Sequence, residues 1–472
     1  MSDEMPLGWV PILLDELVSA RKGKKPNITQ PEPSRRFVPY LDIHAIERGV
    51  FREYAEVASS RVATTADVLV VWDGARSGWA GLGRDGAIGS TIMALQPKTG
   101  DRLYIYRWLQ SQFEHVNSNT RGTGIPHVDP EVFWNLTVPL APLAEQRRIV
   151  AKLEQVLGKV EACQRRLEKI PTLLKRFRQS VLAAACSGRL TAGWREANTN
   201  AEPYACDTIE TDEEVPANWR ATSLGRLTSL VTSGSRGWAK YYAESGSTFI
   251  RAQNINADYL NLDDIAYVRP PEGAEGFRTR VRQHDLLVTI TGANVTKSAL
   301  VERPIKDAYI SQHVALARLQ DIRLSKFVFH ALVCPSHGRK QLLAAAYGQG
   351  KPGLNLENIR DVVVVLPPLS EQQEIVRRVE ALFALADKIE ARYAKAQAQV
   401  DRLTPSLLAR AFAGKLVPQD PADEPAAVLL ERLRAGKGTA TSAGPTKENK
   451  YPEPEPRELR VAEPRGRKRR RG

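Results

Sequence analysis

The sequence predicts two α/β (α+β) domains joined by two long helices, in a chain built as a pseudo-twofold internal repeat. Three observations lead to this prediction. The second half of the chain repeats motifs of the first half at a fixed offset of 226 residues. Each copy ends in a heptad stripe of apolar residues, which is typical of paired helices. The part before each stripe carries short β-branched runs bounded by glycine or proline, which is typical of strands.

The repeat is clearest where each long helix is predicted to begin and end. The segment PLAEQ at 142–146 matches PLSEQ at 368–372, and SGRL at 187–190 matches AGKL at 413–416. Across this window, sixteen of 49 positions are identical without a gap. Constant ends with divergent middles indicate two modules on one scaffold that read different targets. A duplication retained only for stability is the alternative interpretation.

The two predicted helices carry apolar residues at alternating spacings of four and three, with charged residues between them. Such a helix cannot bury its stripe alone, and both helices belong to one chain. We therefore expect them to pack on each other, and a homodimeric coiled coil is the alternative. The first stripe, from Ile149 to Val181, would be about 48 Å long as a helix. The predicted interface positions are Ile149, Leu153, Val156, Leu167, Leu174, Ile375, Val379, Leu382, Ile389 and Val400.

Glycine and proline mark the predicted helix boundaries. Gly188 and Gly414 stand where a C-terminal glycine would end each helix. Pro171 and Pro405 lie inside the stripes, and an interior proline removes a backbone hydrogen bond. We therefore expect each helix to break or bend at its proline.

A glycine-rich loop follows a matched strand in both modules. VLVVW at 68–72 precedes the loop DGARSG at 73–78, and DLLVTI at 285–290 precedes TGANVTK at 291–297. Each loop combines flexible backbone, small polar groups and a cation, which suits close approach to a phosphate backbone or a base edge. An ordinary tight turn with a solvated cation is the alternative. The candidate DNA-binding residues of these loops are Arg76, Asn294 and Lys297.

A basic and aromatic stretch occurs in the second module. SGSRGWAKYY at 233–242 interleaves cations with aromatic residues beside glycines, a pattern frequent on nucleic-acid-binding surfaces. Guanidinium and amide side chains that can read bases follow it. A hydrogen-bonded turn with buried aromatic residues is the alternative. The candidate DNA-binding residues are Arg236, Lys240, Arg251, Gln253, Asn254 and Asn256.

Two further pairs flank the matched prolines of the repeat. Arg121 and His127 lie on either side of the first proline, and Lys351 and Asn355 flank the second. Arg121 and Lys351 are candidate DNA contacts. The alternative is that these residues only stabilise the segment through which the chain returns to the helix.

The composition favours an anionic partner. Lys and Arg total 67 against 54 Asp and Glu, so the net charge is +13 and the pI is near 9.5. Six of the positive charges lie in 465–471. A basic balance fits nucleic acid or a membrane surface. No apolar run approaches the roughly 18 residues of a membrane span, and the first residues lack an apolar signal core, so we expect a soluble, cytoplasmic protein without a membrane partner.

The sequence contains no motif for catalysis or metal binding. It has no GxxxxGK[ST] phosphate loop, no HExxH, no GxSxG and no Asn/Asp-Pro-Pro-Tyr/Phe tetrapeptide. The four cysteines form no CxxC pair, and the seven histidines are dispersed. We therefore expect no catalytic residue and no metal site in this chain.

In their doubled order, these motifs resemble the specificity subunits of type I restriction-modification enzymes. The shared pattern is a tryptophan-headed variable region, a Gly-x-x-x-Pro return, a Pro-Leu-x-Glu-Gln helix start and a Gly-Arg/Lys-Leu helix end. Trp9 and Trp219 head the two copies, and the resemblance covers residues 7–434. It implies two target-recognition domains that each read one half of a split double-stranded DNA site. It also implies an intramolecular antiparallel coiled coil that sets the spacer and docks two methyltransferase subunits.

The resemblance further implies partners and cofactors outside this chain. Motor and nuclease restriction subunits join the complex, adenine methylation uses S-adenosylmethionine, and cleavage uses ATP and Mg²⁺. The specificity subunit itself holds no cofactor and catalyses no reaction. The alternative function is a coiled-coil scaffold or adaptor with nonspecific DNA affinity. A single-chain restriction enzyme is disfavoured because its methyltransferase and nuclease motifs are missing from the sequence.

The predicted domain boundaries follow the motifs. They are 1–140 for the first target-recognition domain, 141–198 for the first conserved helical region, 199–215 for a linker, 216–366 for the second target-recognition domain and 367–434 for the second conserved helical region. The remaining segment, 435–472, is predicted to be a disordered basic tail. It either adds nonspecific phosphate attraction or is solvated without function.

Overall fold

The computed structural model forms two compact units. It describes residues 5–122, 124–211, 215–234, 236–270, 278–348, 350 and 352–439. Unit 1 combines the described residues up to Glu161 with those from Asp401 onward, and unit 2 is Ala162–Val400. Each unit therefore contains one globular module together with segments of both long helices.

Unit 1 begins with a mixed α/β module. Its strands are β1 (Val10–Leu13), β2 (Val18–Lys22), β3 (Thr29–Gln30), β4 (Phe37–Leu41), β5 (Tyr54–Glu56), β6 (Arg61–Ala63), β7 (Val68–Val71), β8 (Ala80–Leu82), β9 (Gly86–Ile88), β10 (Ile92–Pro97) and β11 (Thr137–Leu140). Its helices are α1 (Leu14–Leu17), α2 (Ile43–Arg48), α3 (Arg102–Ser111), α4 (Phe113–Ser118) and α5 (Pro130–Trp134). The predicted β-branched run forms β7, and all four of its residues are buried.

Three sheets build this module. The first and last strands, β1 and β11, pair antiparallel and so close the module on itself. A four-stranded antiparallel sheet has the order β2-β10-β7-β8. A five-stranded sheet has the order β3-β5-β4-β9-β6 and contains the parallel pair β4–β9. The largest fully buried side chains, Trp108, Tyr104 and Phe133, belong to the core between these elements.

The first long helical region consists of two helices. They are α6 (Leu143–Leu167) and α7 (Ile170–Cys186), and the short α8 (Ala192–Ala197) follows. Pro171 lies in the first turn of α7. A proline is tolerated there because the N–H at that position has no intrahelical partner. The break predicted at Pro171 is confirmed.

The module of unit 2 has the same class of elements. Its strands are β12 (Arg220–Ser223), β13 (Thr228–Ser233), β14 (Tyr242–Ala243), β15 (Ser247–Ile250), β16 (Ala266–Val268), β17 (Leu286–Thr289), β18 (Ser298–Leu300), β19 (Ala308–Ile310), β20 (Val314–Leu319) and β21 (Val363–Leu366). Its helices are α9 (Leu224–Leu227), α10 (Ser325–Val333), α11 (Gly338–Ala345) and α12 (Leu356–Arg360).

The topology of unit 2 repeats that of unit 1. β12 pairs with β21, as β1 pairs with β11. The sheet β13-β20-β17-β18 corresponds to β2-β10-β7-β8. The sheet β14-β16-β15-β19 contains one parallel pair, β15–β19, just as the third sheet of unit 1 does. The internal repeat predicted from motifs is therefore a repeat of the fold.

The second long helix is continuous. α13 (Leu369–Phe412) has 44 residues, which corresponds to about 66 Å. Pro405 lies inside it, so the expected interruption occurs only in the first helical region. α14 (Ala426–Thr439) follows, and its residues 435–439 lie in the segment predicted to be a disordered tail. Within the described residues, no helix is both long and apolar enough to cross a membrane.

The helical segments run antiparallel within each unit. In unit 2, Arg178 on α7 forms ion pairs of 2.7 Å with Asp387 and Glu390. Thr191, further along the chain, bonds to Glu371 near the start of α13. Partner numbers thus fall as residue numbers rise. In unit 1, the start of α6 shares a hydrophobic core with the end of α13.

Most of the predicted stripe is protected from solvent. Val156 and Leu382 are half-buried, and Ile389 is 39% exposed. Ile389 is therefore the most exposed of the predicted interface positions, and its role in helix pairing or subunit docking stays a prediction. Arg178 on α7 forms ion pairs with Asp387 and Glu390, which flank Ile389 in the sequence of α13. The buried stripe residues are Ile149, Leu153, Leu167, Leu174, Ile375, Val379 and Val400.

The predicted glycine ends of both helical regions are confirmed. Gly188 follows α7 with a φ of +75°, and Gly414 follows α13 with a φ of +68°. This left-handed conformation satisfies the last helical carbonyls and is easiest for glycine. The repeated Gly-Arg/Lys-Leu motif therefore marks helix termination.

A buried hydrogen bond joins the start of each module to the start of its long helix. Trp9 Nε1 donates to Glu145 Oε2, and Trp219 Nε1 donates to Glu371 Oε2, both at 2.9 Å. All four residues are at most 5% exposed. A buried carboxylate needs hydrogen bonds to offset its lost hydration. We name this pair of residues the Trp–Glu clasp.

The neighbouring glutamine extends each clasp. Gln146 Nε2 donates to the carbonyl of Ala141 at 2.7 Å, and Gln372 Nε2 donates to the carbonyl of Pro367 at 2.8 Å. Both polar residues of the Pro-Leu-x-Glu-Gln motif therefore fix the turn that leads from the last strand into the helix.

The two clasps differ in the number of hydrogen bonds that the buried glutamate accepts. Glu371 also accepts hydrogen bonds from Thr191 at 2.7 Å and from Arg195 at 2.9 Å. Glu145 Oε1 is buried and has no hydrogen-bond partner in the described part of the chain. Burial raises the pKa of Glu145 above its ordinary value, against the opposing effect of the Trp9 hydrogen bond. The clasp of unit 1 therefore depends more strongly on its tryptophan.

We predict that Trp9→Phe destabilises unit 1 more than Trp219→Phe destabilises unit 2. Phenylalanine retains an aromatic ring but cannot donate, so Glu371 keeps two partners while Glu145 loses its tryptophan donor. A hydrogen bond to a charged group contributes about 1.5–3 kcal/mol, and the loss at Trp9 should approach that value. Hydrogen exchange in urea, followed separately on β1–β11 and β12–β21, measures both opening free energies. Equal losses would contradict the prediction.

Candidate nucleic-acid interface

In unit 1, the glycine-rich loop lies between β7 and β8 and is tied to the Gly-x-x-x-Pro return. Gly74 N donates to Pro126 O at 2.8 Å. The hydroxyl of the buried Ser77 lies 2.6 Å from Gly74 O and 3.0 Å from Pro126 O. Ser77 and Pro126 are 49 residues apart in sequence, so the fold brings these two motifs together.

The return of unit 1 forms a second loop beside the first. Arg121 and His127 exchange two backbone hydrogen bonds of 2.8 Å. Ile125, between them, is 62% exposed. His127 Nδ1 lies 2.7 Å from Asp73 Oδ1, where the glycine-rich loop begins. The two loops are thus joined at their bases while the second exposes its tip.

Unit 2 brings the equivalent loops together in the same way. Gly292 N donates to Pro352 O at 3.1 Å, between the same two motif positions as in unit 1. Tyr347 and Gly353 exchange backbone hydrogen bonds of 3.0 and 2.9 Å. Tyr347 is 60% exposed. A paired set of loops therefore recurs in both modules, and we name each set the paired loops: 73–78 with the described residues of 121–127, and 291–297 with the described residues of 347–353.

The backbone of the paired loops is both unusual and accessible. Gly74 has a φ of +114° and Gly292 of +91°, and a Cβ built on either would meet no atom within 4 Å. The positive φ, and not a lack of space for a side chain, therefore explains why glycine occupies these two positions. Thr296 stands where unit 1 has Gly78, and it keeps a φ of +72° although it is β-branched. Residues held in such rare conformations concentrate at functional sites.

Two of the predicted DNA contacts in unit 1 are already ion-paired. Arg76 lies 3.3 Å from Glu47. Arg121 lies 2.6 Å from Asp129 and 3.3 Å from Glu131. A phosphate at either arginine would therefore have to compete with a protein carboxylate.

The basic and aromatic stretch of unit 2 divides into exposed and buried residues. Arg236 and Lys240 are exposed, and neither has an ion-pair partner among the residues that the structure describes. Lys240 Nζ lies 5.0 Å from the centre of the Tyr241 ring. Trp238 is only 5% exposed and stacks on Phe249 with ring centres 5.8 Å apart. The cations are available for a ligand, whereas the tryptophan belongs to a small core.

The polar residues after β15 form a hydrogen-bonded cluster. Arg251 and Gln253 reach Asp264 at 3.1 and 2.7 Å. Asn254 is 3% exposed, and its amide nitrogen donates at 3.0 Å to the carbonyls of Asn261 and Asp264. Its oxygen accepts from the Arg251 N–H at 2.9 Å. These contacts give Asn254 a role inside the loop instead of the predicted position on a base-reading surface.

The remaining predicted residues lie near that cluster or outside the described residues. Asn256 is exposed. Asn294 Nδ2 donates to the carbonyl of Ala252 at 3.2 Å. Lys297 Nζ lies 3.7 Å from Asp258 Oδ2. Lys351 lies outside the residues that the structure describes, so its placement stays a prediction.

Three residues that the sequence analysis did not single out support the loops. Asn117 on α4 donates to the carbonyl of Ser77 at 2.9 Å, and Arg339 on α11 lies 2.5 Å from Asp258. These partners are 40 and 81 residues apart in sequence. No local motif marks contacts of this range, so sequence inspection alone could not find them.

The arrangement suits noncovalent recognition of an anionic polymer. Exposed amides, guanidinium groups and accessible backbone are the groups that contact phosphates and base edges. In the described ranges, no group of three or more His, Cys, Asp or Glu side chains is placed to hold a metal ion.

Comparison with protein families identifies both halves of the chain. The model of the type I restriction modification DNA specificity domain matches residues 6–172 and 251–397. Each match includes a recognition segment and part of the following long helix. The duplication seen in the fold is therefore also a duplication at the level of the family.

Curated relatives carry the same description. The type I restriction enzyme EcoBI specificity subunit of Escherichia coli is 28% identical, over 92% of this chain and 93% of its own length. The EcoKI specificity subunit of Escherichia coli strain K12 is 32% identical, over 69% of each chain. The StySPI specificity subunit of Salmonella potsdam is 30% identical, over 71% of this chain and 72% of its own length.

Solved structures share the fold. The HsdS subunit of Thermoanaerobacter tengcongensis aligns over 87% of this chain and 98% of its own, with a TM-score of 0.51 and 20% identity. A chain of a type I R-M system aligns over 87% of this chain and 99% of its own, with a TM-score of 0.65 and 21% identity. Because the family model covers well over half of the sequence, this chain belongs to the DNA specificity subunits of type I restriction-modification systems.

Proposed function

We propose that each module of this specificity subunit reads one half of a bipartite double-stranded DNA site through its paired loops and the adjacent polar surface. The recurrence of the paired loops carries the proposal. The same two motifs meet in both units, with an exposed residue in the second loop of each and open space around the glycine of the first. Surfaces that recur while their residues differ suit two half-sites of different sequence.

The long helices set the distance between the half-sites and dock two methyltransferase subunits. A continuous helix of about 66 Å is a stiff spacer on the scale of two turns of DNA. Stripe positions that remain partly exposed, such as Ile389, are available to helices of a partner. The division into recognition domains at 1–140 and 216–366, with helical regions between and after them, belongs to this proposal.

The chemistry lies in the partner subunits. The complex uses S-adenosylmethionine to methylate adenine, and motor and nuclease subunits use ATP and Mg²⁺ to cleave DNA. This chain contributes sequence recognition and no catalytic residue, and it acts in the cytoplasm where the DNA is. The basic residues of 435–472 add nonspecific phosphate attraction.

Mapping of adenine methylation tests the function directly. Co-expression of this chain with the methyltransferase subunit of its host should produce one bipartite motif, with two short defined halves and a fixed unspecified gap. Expression of the methyltransferase subunit without this chain is the control and should give no such motif. A stable complex that methylates nothing would contradict the proposal and favour a coiled-coil scaffold.

The ion pairing of the cations predicts which of them contribute to the salt dependence of DNA binding. In the methyltransferase complex, Arg236→Ala and Lys240→Ala should each lower the slope of log K against log salt by about one, because each neutralises a phosphate. Arg76→Ala should change the slope less, since Arg76 is already paired with Glu47. Fluorescence anisotropy on a duplex containing the methylated motif measures the slopes. Equal changes for all three variants would contradict this account.

A further inference from the structure

One carboxylate in unit 2 connects two loops of the recognition surface. Lys297, in the glycine-rich loop, lies 3.7 Å from Asp258, and the backbone N–H of Ser298 donates to Asp258 Oδ1 at 3.1 Å. Asp258 itself belongs to the polar loop that carries Asn256. The hydrogen bond from Asn294 to Ala252 is a second link between the same loops. The positions of the two loops therefore depend on each other.

Arg339 also contacts this carboxylate. It lies on α11, is 9% exposed and approaches Asp258 Oδ1 to 2.5 Å. Arg339 Nε is buried without a hydrogen-bond partner among the described residues, and the ion pair of this guanidinium is with Asp258. Removing Asp258 would leave the largely buried charge of Arg339 uncompensated, so the position of the carboxylate is tied to that of the arginine.

The backbone at the contact has a conformation that needs support. Asp258 has a φ of +60°, and Thr296, next to Lys297, has a φ of +72°. Non-glycine residues keep such conformations only where their surroundings hold them. The carboxylate of Asp258, which contacts both Arg339 and the backbone N–H of Ser298, supplies that support.

Unit 1 uses an equivalent helix for the same purpose. α4 follows α3 as α11 follows α10, and Asn117 on α4 donates to the carbonyls of Ala75 and Ser77 in the glycine-rich loop at 3.3 and 2.9 Å. The contacts differ: α4 contacts the glycine-rich loop directly, whereas α11 is linked to it through Asp258, which accepts from the Ser298 N–H.

We propose that Arg339 is a positioning residue that determines the base specificity of the second half-site without touching DNA. It fixes Asp258, and through Asp258 it fixes both loops of unit 2 at a spacing that matches one base sequence. This inference rests on the proposed function of the paired loops. It assigns specificity to a residue that lies behind the recognition surface.

The test compares two arginines of the same unit, each ion-paired with an aspartate, by mapping adenine methylation with the methyltransferase complex. Arg339→Met should relax discrimination about tenfold at one or more bases of the second half-site, while the first half-site and the gap stay unchanged. Arg339→Lys retains the charge and should restore part of the discrimination. The matched control is Arg318→Met, which removes the buried pair with Asp285 at the far end of β17 from the loop. It should lower stability but keep the wild-type motif.

A second variant tests the inference if Arg339→Met does not fold. Asp258→Asn keeps the shape of a partly exposed side chain, 28% accessible, and removes only its charge. It should relax the same bases. An unchanged second half-site in a folded Arg339→Met or Asp258→Asn complex would overturn the inference, as would the same relaxation in Arg318→Met. If the wild-type complex itself gave no bipartite motif, the proposed function would fail. The wild-type sample therefore distinguishes failure of the proposed function from failure of the inference about Arg339.

Discussion

The Trp–Glu clasp is the contact on which the architecture of each module depends. It joins the residue just before the first strand to the first turn of the helix that leaves the module, 136 residues later in unit 1 and 152 in unit 2. The first and last strands pair directly beside it. Because the clasp is buried and charged, the polar groups at this closure must keep their hydrogen bonds. Each recognition module is therefore closed at its base by contacts that do not involve its loops.

Closure at the base explains why the rest of the module can diverge. In each unit the glycine-rich loop connects two strands of the four-stranded sheet, the second loop connects two short helices, and a backbone hydrogen bond joins the two loops. Their side chains differ between the units, and so do their supports, Asn117 in one and Arg339 in the other. A fixed frame with exchangeable loops is the physical arrangement that two independent half-sites require.

The sequence predicts features whose cause is local or periodic. Gly188 and Gly414 end helices because a positive φ favours glycine, and Pro171 marks a break because proline lacks an N–H. The sequence pattern does not predict exposure or contacts where a side chain far away in the sequence determines them. Ile389 continues the heptad but is exposed near the ion pairs of Arg178. Asn254 has an amide of the kind that reads bases, but this amide forms hydrogen bonds within its own loop. The contact of Asp258 with Arg339 spans 81 residues and leaves no local signal.

We infer that the two closed modules read DNA independently, and the exchange of one module tests this independence. Residues 216–366 would be replaced by the corresponding module of a relative with a different site, with the clasp residues retained and adenine methylation mapped in the co-expressed complex. The account predicts that the second half-site alone changes, while the first half-site and the gap remain those of the parent. A change in both half-sites would contradict it.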